Sequence, residues 1–187
     1  YMNVYIMHDL YNDGVTNNSG VAWYPSTNMS NAGTARVVYN GLYLGHNSWD
    51  AQFASTHTHE FGHWLNLMHT FQGGCASATN DNVADTPPTN GSQGCHSTNS
   101  SNSPLNCNNA LINAENYMDY NTSCYKMFTQ GQIARMDAAL QLPSRVTLWQ
   151  TSNLIATGIL TGTSVGESNS MASVSVYPNP GEGHFNV

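Results

Sequence analysis

The run His59-Glu60-Phe61-Gly62-His63-Trp64-Leu65-Asn66-Leu67-Met68-His69 limits what this chain can fold into more than any other stretch. On a helix, residues four apart lie one turn above each other on one face. His59 and His63 can therefore aim their imidazoles at a common point, with Glu60 projecting beside them. His69 follows His63 by six positions. On a continued helix it would face away, so a third imidazole reaches that point only if the helix stops in between. Such a stop needs a residue with φ > 0. Glycine adopts that conformation freely, and asparagine is the side-chain-bearing residue that tolerates it best, at a cost of about 1 kcal/mol. Asn66 is the expected helix end.

A structural zinc site is closed by four protein ligands, whereas three neutral nitrogens leave one position for water. With neutral ligands Zn2+ keeps its double charge and lowers the pKa of bound water from 15.7 toward ~7, and a neighbouring glutamate can take the proton. That is hydrolytic chemistry, with His59, His63 and His69 as ligands and Glu60 as general base. His57 lies on a different side of the helix and reads as a packing or surface residue. His8, His46, His96 and His184 lack ligand spacing and carry no functional assignment.

At 187 residues the chain is one domain, or one domain plus a fragment. Charged residues make up 8%, far below the usual ~25%, so Asn, Ser, Thr and Gly carry the solubility, a surface commoner in secreted proteins. Lys and Arg total 4 and the formal charge is −7. No cationic surface exists to neutralise nucleic-acid phosphates or anionic headgroups, and both partners are excluded. No apolar run approaches the ~20 residues of a membrane span. Cys75, Cys95, Cys107 and Cys124 lie in a polar, loop-rich middle without a close Cys-x-x-Cys pair. They read as two disulfides formed in an oxidising compartment, with three pairings open.

Tyr1 to Met7 reads as a strand, Gly20 to Pro25 as a short edge strand stopped by proline, and Ala35 to Gly45 as a strand or hairpin turning at Asn40-Gly41. The zinc helix begins near Ser48 or Asp50. From Gln72 to Ala110 almost nothing is periodic, a length of irregular chain that disulfides, metals or function must hold. Thr129 to Leu140 is a helix with Thr129 as N-cap and Ile133, Met136 and Leu140 on one side. Val146 to Leu160 is open between strand and helix. Residues 161–172 are a Gly/Ser-rich linker, and 173–187 open a second, all-β unit.

The run HEFGHWLNLMH resembles the zinc signature of the metzincin metalloproteases, HExxHxxGxxH, with Asn66 in place of the glycine. The continuations HTFQGGC, DNVADTPP and ENYMDY are similar to the pappalysin family of metzincins. The resemblance implies an α+β zinc-protease domain over 1–160, missing an earlier strand and helix at its amino-terminal end. It would comprise a twisted, mostly parallel sheet with an antiparallel edge strand, the active-site helix, and an irregular C-terminal subdomain with a Met-turn and a C-terminal helix. It also implies that Met118 lies in the Met-turn beneath the zinc, that Tyr120 steadies the tetrahedral intermediate, and that Cys75 pairs with Cys107 and Cys95 with Cys124. A structural Ca2+ would draw on Asp81, Asp85 and Thr86. Substrates would be proteins or peptides, with zinc polarising the scissile carbonyl. The chain just after the Met-turn, Asn121-Thr122-Ser123-Cys124, carries no carboxylate, which predicts a neutral or broad side-chain preference.

The tail VSVYPNPGEGHFNV resembles the opening of the β-sandwich sorting domain of bacterial type IX secretion cargo. It implies a contact with that secretion machinery and export to the cell surface or medium. Two rival readings remain at this point. Glu115 could replace His69 as third ligand, as in gluzincin-type peptidases, or the chain could be a non-catalytic, zinc-stabilised binding module.

Overall fold

The computed structural model describes residues 2–15, 19–41, 50–76, 80–92, 94–96, 107–109, 111–121 and 124–160. Three strands form one sheet: β1 (Asn3–Met7), β2 (Gly20–Ala22) and β3 (Arg36–Asn40), in the order β1-β3-β2. β1 runs parallel to β3, with Tyr5 opposite Val38, and β2 runs antiparallel to β3, with Val21 opposite Val38. Among the described residues β2 is the antiparallel edge, and the strand expected over Gly20 to Pro25 is limited to Gly20–Ala22, ending before the proline. Among the described residues the sheet is mixed, one parallel and one antiparallel pair, rather than mostly parallel. β3 holds the centre because both its neighbours cover it, and Val37, Val38, Tyr39 and Asn40 are buried. The hairpin expected after Asn40 would continue into 42–49, and Ser48 also lies there, outside the described residues. So do the linker 161–172 and the all-β unit 173–187.

α1 (Asp50–Trp64) packs across β2 and β3. Trp64 reaches the core formed with Val37 and Tyr39, and Met2, Ala22, Leu65 and Leu148 pack against it. The Tyr39 hydroxyl donates to the His57 carbonyl at 3.0 Å, tying the central strand to the helix. His57 packs its ring between Tyr39 and Phe61, in keeping with a packing role.

After α1 the described chain is mostly turns until residue 129. Cys75 is bonded to Cys107 and Cys95 to Cys124, the crossed pairing. Sequence separations of 32 and 29 residues correspond to about 3–4 kcal/mol of unfolded-state entropy removed per bridge in the chain-entropy model. That is how a long segment with little regular structure stays in place.

α2 (Gln130–Leu140) starts in a capping box: Thr129 Oγ1 accepts from Gln132 N, and Gln132 Oε1 accepts from Thr129 N. The Gln132 amide also donates to the Asn116 Oδ1 and its Oε1 accepts from Asn116 Nδ2. This polar contact sets the inward face of α2, so Gln132 and Ala139 are buried while Ile133 is exposed. The apolar stripe expected through Ile133 is therefore rotated. Residues 146–160 resolve as a 3-10 turn (Val146–Leu148) and a short helix, α3 (Thr151–Ala156).

Asp85 sits at the start of α2, where its Oδ1 accepts from Thr129 Oγ1 and its Oδ2 from Gly131 N. The Gly131 hydrogen bond, chiefly, holds its carboxyl below the usual range. A carboxylate with a depressed folded pKa contributes stability above its unfolded pKa, and the contribution fades as pH falls through the folded value. Asp85→Ala should lower stability at pH 7 by about 1 kcal/mol in urea unfolding, and the difference from the parent should shrink below pH ~4. A difference independent of pH would contradict this role.

Candidate active site

α1 delivers His59, Glu60 and His63 to one buried face, each less than 10% exposed. The end of the helix delivers His69. Asn66 has φ 74°, Asn66 N donates to His63 O at 2.9 Å, and Leu67 N donates to Gly62 O at 2.8 Å. These two bonds are the Schellman pattern around a left-handed residue. Asn66 thus ends the helix as its chemistry allows, and the chain turns back toward His63.

The Nε2 atoms of His59, His63 and His69 lie 3.1 Å from one another in all three pairs. Among the described residues they are the one group of three or more His, Cys, Asp or Glu side chains placed to hold a metal ion. His59 Nδ1 is 2.6 Å from the Tyr117 carbonyl oxygen, and His63 Nδ1 is 2.7 Å from the Leu67 carbonyl oxygen. A carbonyl only accepts, so in both rings the proton is on Nδ1 and Nε2 carries a lone pair. Two lone pairs facing each other at hydrogen-bond distance repel unless a cation sits between them. Protonating the rings is no remedy. Burial, with the neighbouring imidazoles, pushes His59 down to about 3 and His69 down to about 4, and burial lowers His63 as well. The site is built for a metal, and a zinc–nitrogen distance of about 2.0–2.1 Å suits the triangle.

Met118, fully buried, lies against α1 at Gly62. A Cβ on Gly62 would overlap the Met118 sulfur. The turn holding Met118 closes through Asp119 N to Asn116 O at 3.1 Å and Met118 N to Asn116 Oδ1 at 2.8 Å. It also supplies the Tyr117 carbonyl to His59 and accepts Thr70 N at the Met118 carbonyl, one residue after His69. The Tyr120 ring lies 4.8 Å from that of His69 and 5.8 Å from that of His59, half-exposed. Burial, and then the charge of Glu60, raises its phenol. Phe71 stacks on His69 at 4.8 Å, and Tyr24 meets His63 edge-on at 5.6 Å.

Glu115 is not in this cluster. Its Oε1 pairs with Lys126 Nζ at 2.8 Å, and His69 occupies the third position. Asp81 and Thr86 come together, Thr86 Oγ1 donating to Asp81 Oδ1 at 2.7 Å. Asp85 is engaged at α2, so the three oxygen donors do not share one hydrogen-bonded cluster. Thr122 and Ser123 lie outside the described residues. Sequence reasoning missed Gly62, Tyr24 and Phe71. A glycine inside a helix costs about 1 kcal/mol against alanine and so points to a packing reason; the two aromatics carried no such signal.

This geometry, a three-histidine centre beside a buried glutamate over a methionine turn, defines a metalloprotease fold. The chain belongs to the Peptidase M43 family, described as pregnancy-associated plasma protein-A, whose model matches residues 1–141. An extracellular metalloprotease of Sordaria macrospora is 37% identical over 142 residues, covering 72% of this chain and 46% of that protein. Extracellular metalloprotease 1 of Coccidioides posadasii is 37% identical over 145 residues, covering 73% and 48%. Mature mirolysin of Tannerella forsythia, solved in complex with a cleaved peptide, superposes with a TM-score of 0.61 at 29% identity, covering 87% of this chain and 59% of that one. The chain spans about half the length of the two fungal relatives.

The turn at Asn66 is directly testable. Asn66→Gly should bind zinc as the parent does and gain up to about 1 kcal/mol, whereas Asn66→Val should lose zinc affinity at least tenfold while remaining folded. Equal zinc binding by the valine variant would show that the left-handed turn does not set His69.

Proposed function

We propose that the chain is a secreted zinc-dependent endopeptidase, with His59, His63 and His69 holding the ion and Glu60 transferring the proton. The observation that supports it most is the triangle of imidazole Nε2 atoms beside a buried carboxylate. Bound zinc would supply an acidified water and positive charge for the scissile carbonyl. Glu60 accepts the proton of the attacking water and returns it to the leaving amine. Burial pushes Glu60 up to about 8, so its proton affinity is already high. A dication in the triangle would act the other way and keep it ionised. Tyr120, beside two of the three ligands, donates to the developing oxyanion.

The substrate reading follows from β2. Among the described residues it lies at the sheet edge, and Gly20 is so close to Glu60 that an added Cβ would stand 2.9 Å from Glu60 Cγ. An extended peptide adding to that edge would run past the carboxylate and the three histidines. The mirolysin structure with its cleaved peptide supports the same class of substrate. Asn121 is buried and accepts from Cys124 N, so it offers no charge to a substrate side chain. A structural Ca2+ at Asp81 and Thr86 belongs to this proposal: the buried Asp81 leaves Oδ2 without a hydrogen-bond partner, and burial raises its pKa, both of which a cation offsets. Export is supported by the names of the extracellular relatives, and the type IX route by the tail sequence alone.

Kinetics on a casein-derived peptide test the roles. Glu60→Ala should keep stoichiometric zinc and lose at least 10²–10⁴-fold in kcat, and Tyr120→Phe should lose 10–100-fold in kcat with KM little changed. Full activity of Glu60→Ala, or parent protein that binds zinc and cleaves nothing, would refute the proposal; the second result would leave a zinc-stabilised binding module. In a peptide-library cleavage profile the expected preference is neutral or broad, and a strong bias to Arg or Lys would contradict it.

A further inference from the structure

The chain has only four Lys and Arg residues. Two of them, from separate segments, end on the backbone where α1 stops. Arg145 Nε and Nη2 donate to the Trp64 carbonyl at 3.1 and 2.9 Å. Arg135 Nε donates to the Asn66 carbonyl at 2.7 Å. Arg145 is 1% exposed, its guanidinium carbon 3.6 Å above the centre of the Trp64 ring, and Nη1 donates to Ser144 O at 3.2 Å. Its described hydrogen bonds include no carboxylate. Burying a cation without a counter-charge ordinarily carries a large desolvation penalty. What faces it here is the negative end of the α1 dipole, equivalent to about half an electron charge, and an aromatic face.

The carbonyls involved are those of the last turn of α1, which a helix end leaves unpaired, and those of the turn that follows it. Gly62 O and His63 O are taken by the turn at Asn66, Trp64 O by Arg145, Asn66 O by Arg135 and Leu67 O by His63 Nδ1. The last matters most, because Leu67 O fixes the tautomer of a ligand. Residues 64–67 are thus pinned by two cations on one side and by a ligand imidazole on the other, two residues before His69.

We propose that Arg135 and Arg145 are positioning residues for the metal: by fixing the 64–67 backbone they set the Leu67 carbonyl for His63 and the approach of His69. The inference rests on the zinc reading of the three histidines and needs no peptidase activity. Neither arginine touches the ligands, so both act through the backbone. Outer partners of metal ligands, here the Leu67 carbonyl that the arginines hold in place, typically contribute 10–100-fold in affinity.

The test is zinc affinity of metal-stripped protein by chelator competition, with the absorption spectrum of the Co2+-substituted form, at a temperature where circular dichroism shows each variant folded. Arg145→Met and Arg135→Gln should each weaken zinc binding at least tenfold and alter the cobalt spectrum. Arg135→Lys, which keeps the charge, should recover part of the loss. Trp149→Phe removes the equivalent donor at the end of α2, where Trp149 Nε1 meets Leu140 O at 2.9 Å, and should leave both readouts at parent values. Should Arg145→Met not fold, the half-buried Arg135 carries the test alone. Parent-like zinc affinity and cobalt spectrum in folded Arg135→Gln would overturn the proposal, as would an equal loss in Trp149→Phe. Parent protein that binds no zinc would instead sink the zinc reading beneath it.

Discussion

Three imidazole Nε2 atoms held 3.1 Å from each other, two of them with their lone pairs fixed toward the centre, are the constraint on which the rest of the structure depends. The crowding is imposed, because Tyr117 O and Leu67 O hold the protons of His59 and His63 on the far side of each ring. Without a cation this arrangement would relax by ring rotation. With one, the same two carbonyls fix ring orientation and raise ligand basicity. The task of the fold is to keep those carbonyls in place.

Two devices do so. The Tyr117 carbonyl rides on the turn around Met118, which is closed by Asn116, anchored to α2 through Gln132 and admitted against α1 by the missing side chain of Gly62. The Leu67 carbonyl rides on the left-handed turn at Asn66, backed by Arg135 and Arg145. The turn around Met118 lies in chain with little regular structure, enclosed by the Cys95–Cys124 disulfide, while the turn at Asn66 directly follows α1. Two of the four cations of this charge-poor chain are thus spent on one helix end.

The sequence made the site more legible than the sheet. Helical spacing fixes His59, Glu60 and His63, and the need for a turn makes Asn66 and His69 readable, because each follows from local backbone geometry. Resemblance carried Met118, Tyr120 and the disulfide pairing, none of which local spacing can yield. The buried face of α2 was misread because an amide network between Gln132 and Asn116 outweighed the apolar stripe through Ile133. Asp85 was grouped with Asp81 because both are oxygen donors a few residues apart, and only the fold shows it at the start of α2. Arg145 reaches across 81 positions to Trp64, a contact no window of sequence contains.

The most direct measurement is anomalous diffraction at the zinc edge from crystals of the zinc-loaded protein. The expected result is one ion bonded to Nε2 of His59, His63 and His69 at about 2.0–2.1 Å, with both Nδ1 hydrogen bonds retained and the remaining position open to solvent. An ion coordinated through Nδ1, a His69 ring turned away, or a fourth protein atom in the open position would contradict the account.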